Sequence, residues 1–490
     1  MLFRSTPQND KSGKMFALIR ADNWFPLLAA VIFAAHPVNG EVVNWVSATP
    51  ELLLAIFTLL SLIFYIKYLK NPKKVYLYLS CLTFFCALLS KETAVLVLPL
   101  ALITLTLILT NLKRIKTNIR YLLIYLVSLG LYLFLRSAVL GRVVYKYEGY
   151  YAMSFADQIL TGLALLPRYL LKLIWPLPLS FQPLIEPTKT FDSRVMLGLV
   201  AAVAVCGLII WLWKRRLTLI CFGLFLVLIG ILPPLIFANK LGQFIFSERY
   251  LLFSTVGLAI VAVELTQILT NRKRILTKQL IWLGLGLYLV GSLIVVVRRD
   301  QDWKDNLASY RAMIRVDARN WNAHLGIARI YEASGEVDLA KEEFKQVLAL
   351  DRQNGDAKSE LVFLESAYSF GDVYSINYPM GFNLSRQNNK VLVTNGGVNI
   401  EITSDEKKVN QTYDQYLQAQ KISGKLINQG LAQIPRVDFA YVRIFSEGSS
   451  QDFEFFLFKG GRVVRVVLSG AKLDKDMSDF NRILGSMRIK

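Results

Sequence analysis

His36-Pro37-Val38-Asn39-Gly40-Glu41-Val42-Val43-Asn44-Trp45-Val46-Ser47 lies between a short apolar run and a full-length one. A histidine, a carboxylate and an indole follow one another at spacings of five and four, where more hydrocarbon would be expected. Polar groups at the mouth of a membrane helix are expensive unless they face water, find partners or do chemistry. Two readings fit. One is a helix-capping turn with an interfacial Trp anchor. The other, preferred here, is one wall of an extracytoplasmic active-site cleft, because the other polar clusters of the apolar half fall on the same side.

The rest of the chain sets the context for that stretch. Its 490 residues are 54% hydrophobic with a mean hydropathy of +0.41. Such values fit a polytopic membrane protein that carries a soluble portion. The net charge of +20 raises the question of nucleic acid. Much of the basic excess sits in short loops between apolar runs, as the positive-inside rule requires, so no nucleic-acid partner is expected. Cys81, Cys86, Cys206 and Cys221 all lie inside apolar runs, which leaves no disulfide framework to read. The first 24 residues hold no apolar core of signal-peptide length.

About 20 apolar residues span a bilayer as a helix. Nine candidate runs occur, at roughly 24–36, 50–70, 75–90, 93–110, 119–139, 194–213, 217–237, 250–270 and 279–297. Lys67 to Lys74, Lys113 to Arg120, Lys214 to Arg216 and Arg272 to Lys278 form four basic loops. They alternate correctly if the N-terminus is cytoplasmic, which puts the C-terminal half outside the cytoplasm. The outer loops then hold the opening stretch, the Ser90-Lys91-Glu92 turn, the long segment 140–193 and Ser247-Glu248-Arg249-Tyr250. Within the long segment, Leu165 to Pro176 reads as an amphipathic interfacial helix. Arg168 and Lys172 are four apart and share a face; they suit a lipid phosphate headgroup or simple snorkelling. Lys91 with Glu92, and Glu248 with Arg249, must each be solvated or paired at such depth.

After Val297 the apolar runs stop. His324, Ala328, Tyr331, Gly335, Ala340, Phe344 and Leu348 fit a 34-residue tetratricopeptide repeat, with a half-repeat before it at 303–318 and a capping helix after it at 354–368. His324 reads as a packing residue. From about 370 the period changes to two, with strands at 373–378, 391–394, 398–402, 439–445, 453–458 and 463–468. Lys459-Gly460-Gly461-Arg462 is a tight-hairpin signal. Helices at 409–428 and 474–485 complete a small α+β domain. It shows no phosphate loop, metal-ligand spacing or nucleophile constellation. The domains are thus a multi-span membrane domain (1–298), a repeat-like helical segment (299–368) and an extracytoplasmic α+β domain (369–490).

HPVNGEVVNWVSATPELLLAIFTLLSLIFY resembles the signature of the transmembrane and tetratricopeptide-repeat containing proteins, integral-membrane glycosyltransferases of the GT-C type. LLSKETAVLVLPL, SERYLLFSTVG and RDQDWKDNLASYRAMIRVDARNWNAHLGIA resemble three further motifs of that family, in the same order. The resemblance covers residues 24–350. The tail is similar to PsbP-like α+β domains in its Tyr-Pro-Met-Gly-Phe opening and final helix.

The family resemblance implies transfer of a sugar, typically mannose, from a polyprenyl-phosphate carrier to a protein hydroxyl or other acceptor outside the cytoplasm. In such enzymes a carboxylate in the first outer loop acts as base, since a Ser or Thr hydroxyl is a poor nucleophile unaided. That loop and two spans have no equivalent here, which implies a truncated gene, a non-catalytic remnant or a substitute carboxylate. On this reading Glu41 or Glu92 is the acid/base or orienting group. His36, Trp45, Ser90, Lys91, Arg168, Lys172, Glu248, Arg249 and Tyr250 bind substrate, with Lys91, Arg249 and Arg168 on the phosphate. No metal ligands and no cofactor beyond the lipid-linked donor are assigned. Expected partners are membrane lipid, the donor, a protein or glycan acceptor, and proteins held by the repeat and the tail. The alternative is a cell-membrane anchor that presents those two modules without catalysis.

Overall fold

The computed structural model describes residues 24–109, 123–141, 150–271, 275–366, 368–370, 373–378, 382–387, 390–395, 398–406, 412–420, 425–434, 437–447, 450–459, 462–471 and 475–489. The chain divides into two compact units, Met1–Asn320 and Trp321–Lys490.

In the first unit, helix α1 (Phe25–Ala35) stops at His36, whose backbone is extended at ψ 121°. Pro37 is the cause, because the residue before a proline is pushed out of the helical region. A 3-10 turn (Pro37–Asn39) and a short helix α2 (Gly40–Asn44) follow, bent 56° from α1. The polar stretch is therefore kinked rather than part of a straight span. Next come α3 (Thr49–Lys70), α4 (Lys74–Ser90), α5 (Ala94–Leu109), α6 (Tyr125–Leu140) and α7 (Phe155–Ile174). Then follow α8 (Ser193–Lys214), α9 (Thr218–Ile236), α10 (Leu252–Asn271), α11 (Ile275–Asp302) and α12 (Asn306–Val316).

Among the described residues, five helical segments are long and apolar enough to cross a membrane, and the bent α1–α2 pair makes a sixth if counted as one span. They mark a membrane-embedded protein. α4, α5 and α6 are apolar but shorter. The basic loops expected over 113–120 and at 272–274 lie outside the described residues.

α7 matches the amphipathic helix expected from Leu165, and it starts earlier. Ser154 and Asp157 form a reciprocal capping box at its N-terminus. Burying Leu165, Leu166, Tyr169 and Leu173 with Ile245, Phe246 and Leu251 fixes it against the segment leading into α10. α9 and α10 approach closely. A Cβ on Gly223 would stand 2.7 Å from the Gly257 carbonyl, and Ser254 donates to the Val227 carbonyl at 2.9 Å. Small residues drive helix association where lipid supplies no hydrophobic contrast.

In the second unit, α13 (Trp321–Ser334) and α14 (Val337–Leu350) form a hairpin about Gly335, whose φ of +77° favours glycine. Leu325, Ala328, Ala340, Phe344 and Val347 pack between them and against α15 (Gly355–Glu365). A small sheet has the order β1 (Tyr368–Phe370), β2 (Tyr374–Ile376), β10 (Arg488–Ile489). The main sheet is antiparallel throughout. It contains β3 (Asn383–Gln387), β4 (Lys390–Asn395), β5 (Val398–Glu406), β6 (Lys425–Leu431), β7 (Phe439–Glu447), β8 (Ser450–Lys459) and β9 (Arg462–Ala471), in the order β3-β4-β5-β9-β8-β7-β6. α16 (Tyr413–Ala419) covers one face through Tyr416 and Leu417 on Phe456 and Phe458. α17 (Lys475–Ser486) covers the other through Phe480, Ile483 and Leu484 against Phe455 and Val466. Lys459 pairs with Arg462, the hairpin register the glycine pair requires.

Two expectations need correction. Of the helix expected over 409–428, the described residues hold α16 at its centre, while Lys425–Leu431 is instead strand β6, pairing with β7. Pairing to an open sheet edge overrode the local helical pattern. β3 was not foreseen because Asn383-Leu384-Ser385-Arg386-Gln387 has one apolar residue; its partner β4 defines it. Contacts divide the chain at Asn320, while the expected borders at 298/299 and 368/369 are ones of composition. α11 runs unbroken past 298 to Asp302, and the Asn377 amide donates to the Phe363 and Leu364 carbonyls across the second border.

Candidate functional site

Glu41 sits on α2 with its carboxylate wholly buried. It accepts from the Ser247 hydroxyl at 2.5 Å, the Arg249 backbone N–H at 3.1 Å and Arg249 Nη1 at 3.1 Å. Arg249 occupies the 3-10 turn Glu248–Leu251 that opens α10. Its Nε lies 3.4 Å from Glu51 Oε1 and its Nη2 donates to the Tyr250 hydroxyl at 3.1 Å. The guanidinium plane also stacks 4.7 Å from the Trp45 ring and 4.9 Å from the Tyr250 ring. A planar fork held by two carboxylates and two rings has one orientation. Glu51 in turn accepts from Lys91 Nζ at 2.5 Å, and Lys91 lies 5.2 Å from the Tyr250 ring. Charges thus alternate along Glu41, Arg249, Glu51 and Lys91, from the buried interior to the surface of a cavity.

That cavity has a volume of about 810 Å³ and is walled mainly by hydrocarbon from α3, α5, α6, α9 and α10, including Leu54, Pro233, Phe237 and Phe253. Lys91, Arg136, Lys240 and Arg249 face two carboxylates there, Glu51 and Glu92. A largely apolar pocket with a few convergent charged groups is the form ligand sites take. Excess positive charge beside an apolar wall suits a ligand with an anionic head and a hydrocarbon body.

A second cluster lies beside the first. Glu248 is buried and pairs with Lys172 Nζ at 3.2 Å while accepting from the Ser180 N–H at 3.0 Å. Lys172 also donates to the Pro178 carbonyl. His36 bonds the Leu173 carbonyl through Nε2 at 3.0 Å, and its Nδ1 accepts from the Val38 N–H at 3.4 Å. Phe181 makes edge contacts with both Trp45 and Trp303. These contacts bind α7 and the segment after it to the kinked stretch.

The predicted residues therefore separate. Lys91, Glu92, Arg249 and Tyr250 line the cavity, and Trp45 backs Arg249. Glu41, expected as an acid/base or orienting group, lies behind them with 0% side-chain exposure and is bonded to Ser247 and Arg249, a placement that suits the orienting role. His36, Lys172 and Glu248 lie off the cavity wall, each bonded to a protein partner. Ser90 donates to the Cys86 carbonyl in its own helix, and Arg168 is exposed on α7 away from the cavity wall. Sequence reasoning missed Glu51, Arg136 and Lys240. The signal for Glu51 was available as a lone carboxylate in the first turn of a 22-residue apolar helix. Among the described residues no group of three or more metal-ligating side chains converges.

No protein-family model matches the chain, and no curated protein matches it as a relative.

Proposed function

We propose that the first unit is a GT-C-type membrane glycosyltransferase that takes a sugar, mannose by family resemblance, from polyprenyl phosphate. The acceptor is a hydroxyl on the extracytoplasmic face, with the N-terminus cytoplasmic. The observation that carries this reading is the apolar cavity with Lys91, Arg136, Lys240 and Arg249 on its wall. Lipid-linked sugar donors have that character: a long hydrocarbon, a phosphate, and a sugar at the polar end.

In the transfer, the bond between sugar C1 and the phosphate oxygen breaks, and a bond from C1 to the acceptor oxygen forms. The phosphate leaves with the electron pair, and preorganised cations stabilise it. The acceptor proton goes to a carboxylate. Glu92 is the candidate, being exposed on the cavity wall and outside every ion pair among the described residues. Glu41 holds Arg249 in place. The second unit, read as a tetratricopeptide-like hairpin with a PsbP-like domain, presents protein partners.

A second reading is a membrane scaffold without catalysis. It is favoured by one fact: the two carboxylates nearest the cations are already spent on them. The discriminating assay is transfer of labelled sugar from a short polyprenyl phosphate to acceptor peptides. Glu92→Gln is expected to abolish transfer while lipid-phosphate binding survives. Wild-type protein that binds the lipid phosphate yet never transfers would select the scaffold.

A further inference from the structure

Glu51 has a place in the site that the proposed chemistry does not use. Its Oε1 sits between Lys91 Nζ at 2.5 Å and Arg249 Nε at 3.4 Å, and its side chain is on the cavity wall with 10% exposure. Arg249 does not need it for charge balance, because Glu41 already supplies a wholly buried partner at 3.1 Å. Lys91 does need it: among the described residues the other contact of its ammonium is the neutral Tyr250 ring, at 5.2 Å. One carboxylate oxygen thus occupies the point between the two cations where an anionic ligand atom would gain most from both.

We propose that Glu51 is an internal counter-anion, a resident stand-in for the ligand's phosphate, and that the phosphate binds by displacing it from Lys91. This rests on the reading of the cavity as a lipid-phosphate site and adds its regulation. In the empty protein, Glu51 compensates two cations beside a hydrocarbon wall, where an unpaired charge is costly. The arriving phosphate accepts from Lys91 and from the Arg249 edge in its place. The carboxylate then faces a like charge, so it must turn away from the ligand. Two consequences follow. Affinity is set below what the bare cations would give, so that product lipid phosphate is released. Ordinary neutral lipids also fail to open the pair, because they offer nothing to replace the carboxylate.

The test uses the full chain in detergent micelles, with farnesyl phosphate as probe and farnesol as its neutral control. Glu51→Gln removes the resident charge at constant size. It is expected to bind farnesyl phosphate about five- to tenfold more tightly than wild type, by removing one competing charge-assisted hydrogen bond. Farnesol binding should be unchanged. Glu51→Asp keeps the charge and should stay near wild type, which separates charge from folding if the glutamine variant is unstable. Weaker binding in Glu51→Gln would mean that Glu51 positions the cations and would overturn the proposal. Equal affinity in the two proteins would overturn it as well, while leaving the cavity a lipid-phosphate site. Failure of wild type and variants alike to prefer farnesyl phosphate over farnesol would refute both the site reading and the proposal built on it.

Discussion

Replacing Glu41 with Gln probes the interior end of the charge chain. The carboxylate is 0% exposed and Arg249 is 15% exposed, so solvent screens the pair little. Glu41 accepts three hydrogen bonds, from Ser247 Oγ, Arg249 N and Arg249 Nη1. A bond to a charged group is worth about 1 kcal/mol more than a neutral one. Neutralising the acceptor while keeping its shape should thus cost about 3 kcal/mol, the lower end of the ~3–5 kcal/mol typical when a buried pair loses one member. Arg249→Gln should cost about as much. The double variant removes both charges and should be destabilised by at least ~1.5 kcal/mol less than the sum of the singles, the signature of direct coupling. Denaturant titration of the full chain in micelles, followed by far-UV circular dichroism, gives all four corners of the cycle. A Glu41→Gln variant within ~1 kcal/mol of wild type, or strictly additive variants, would refute the view that this pair anchors α2 to α10.

Three further outcomes are expected. A reporter active only outside the cytoplasm should be active when fused after Lys490 and silent in the loop at Lys73; the reverse would discard the proposed sidedness. Residues 321–490 expressed alone should melt cooperatively. Residues 370–490 should be less stable, because the cut removes the carbonyls of Phe363 and Leu364 that Asn377 bonds and the Glu360 carboxylate that Arg482 pairs with. In that same unit, burial holds the Glu332 and Glu360 carboxyls above their ordinary 4.5. The folded state then binds more protons than the unfolded one just above that pH, so stability falls as pH rises through the window between ordinary and raised values. Glu332→Gln should flatten that fall in a pH series of melts, and an unchanged slope would count against the burial argument.

How far the sequence could be read depends on which force dominates at each place. Hydrophobic run length decides membrane helices almost alone, so α3, α8 and α9 begin and end within a residue or two of the expected runs. Pro37 after His36 announces the break that kinks this stretch. Charged side chains are different. Lys91 and Arg249 were legible as cations at helix mouths, but their partner was not, because Glu51 lies 40 residues from Lys91 and meets it only through packing of α3 on α4 and α5. The same distance hid the fate of His36, whose ring is spent on a carbonyl 137 residues away. In the β domain, Phe453 to Phe458 read as a strand but not as a two-faced one. Covering both faces, by α16 and α17, makes the run continuous rather than alternating. β3 and β6 carry little apolar signal of their own and exist because a neighbour offers an edge.

The central claim is that the cavity binds a polyprenyl phosphate through Lys91 and Arg249. Native mass spectrometry of the full chain released from its own membranes tests it directly, since bound lipid is weighed with the protein. Wild type is expected to carry a mass adduct equal to a polyprenyl phosphate or its glycosylated form, and Lys91→Ala/Arg249→Ala to lose it while retaining ordinary phospholipid. A wild-type spectrum with phospholipid adducts alone, or a double variant that keeps the polyprenyl adduct at wild-type occupancy, would contradict the account.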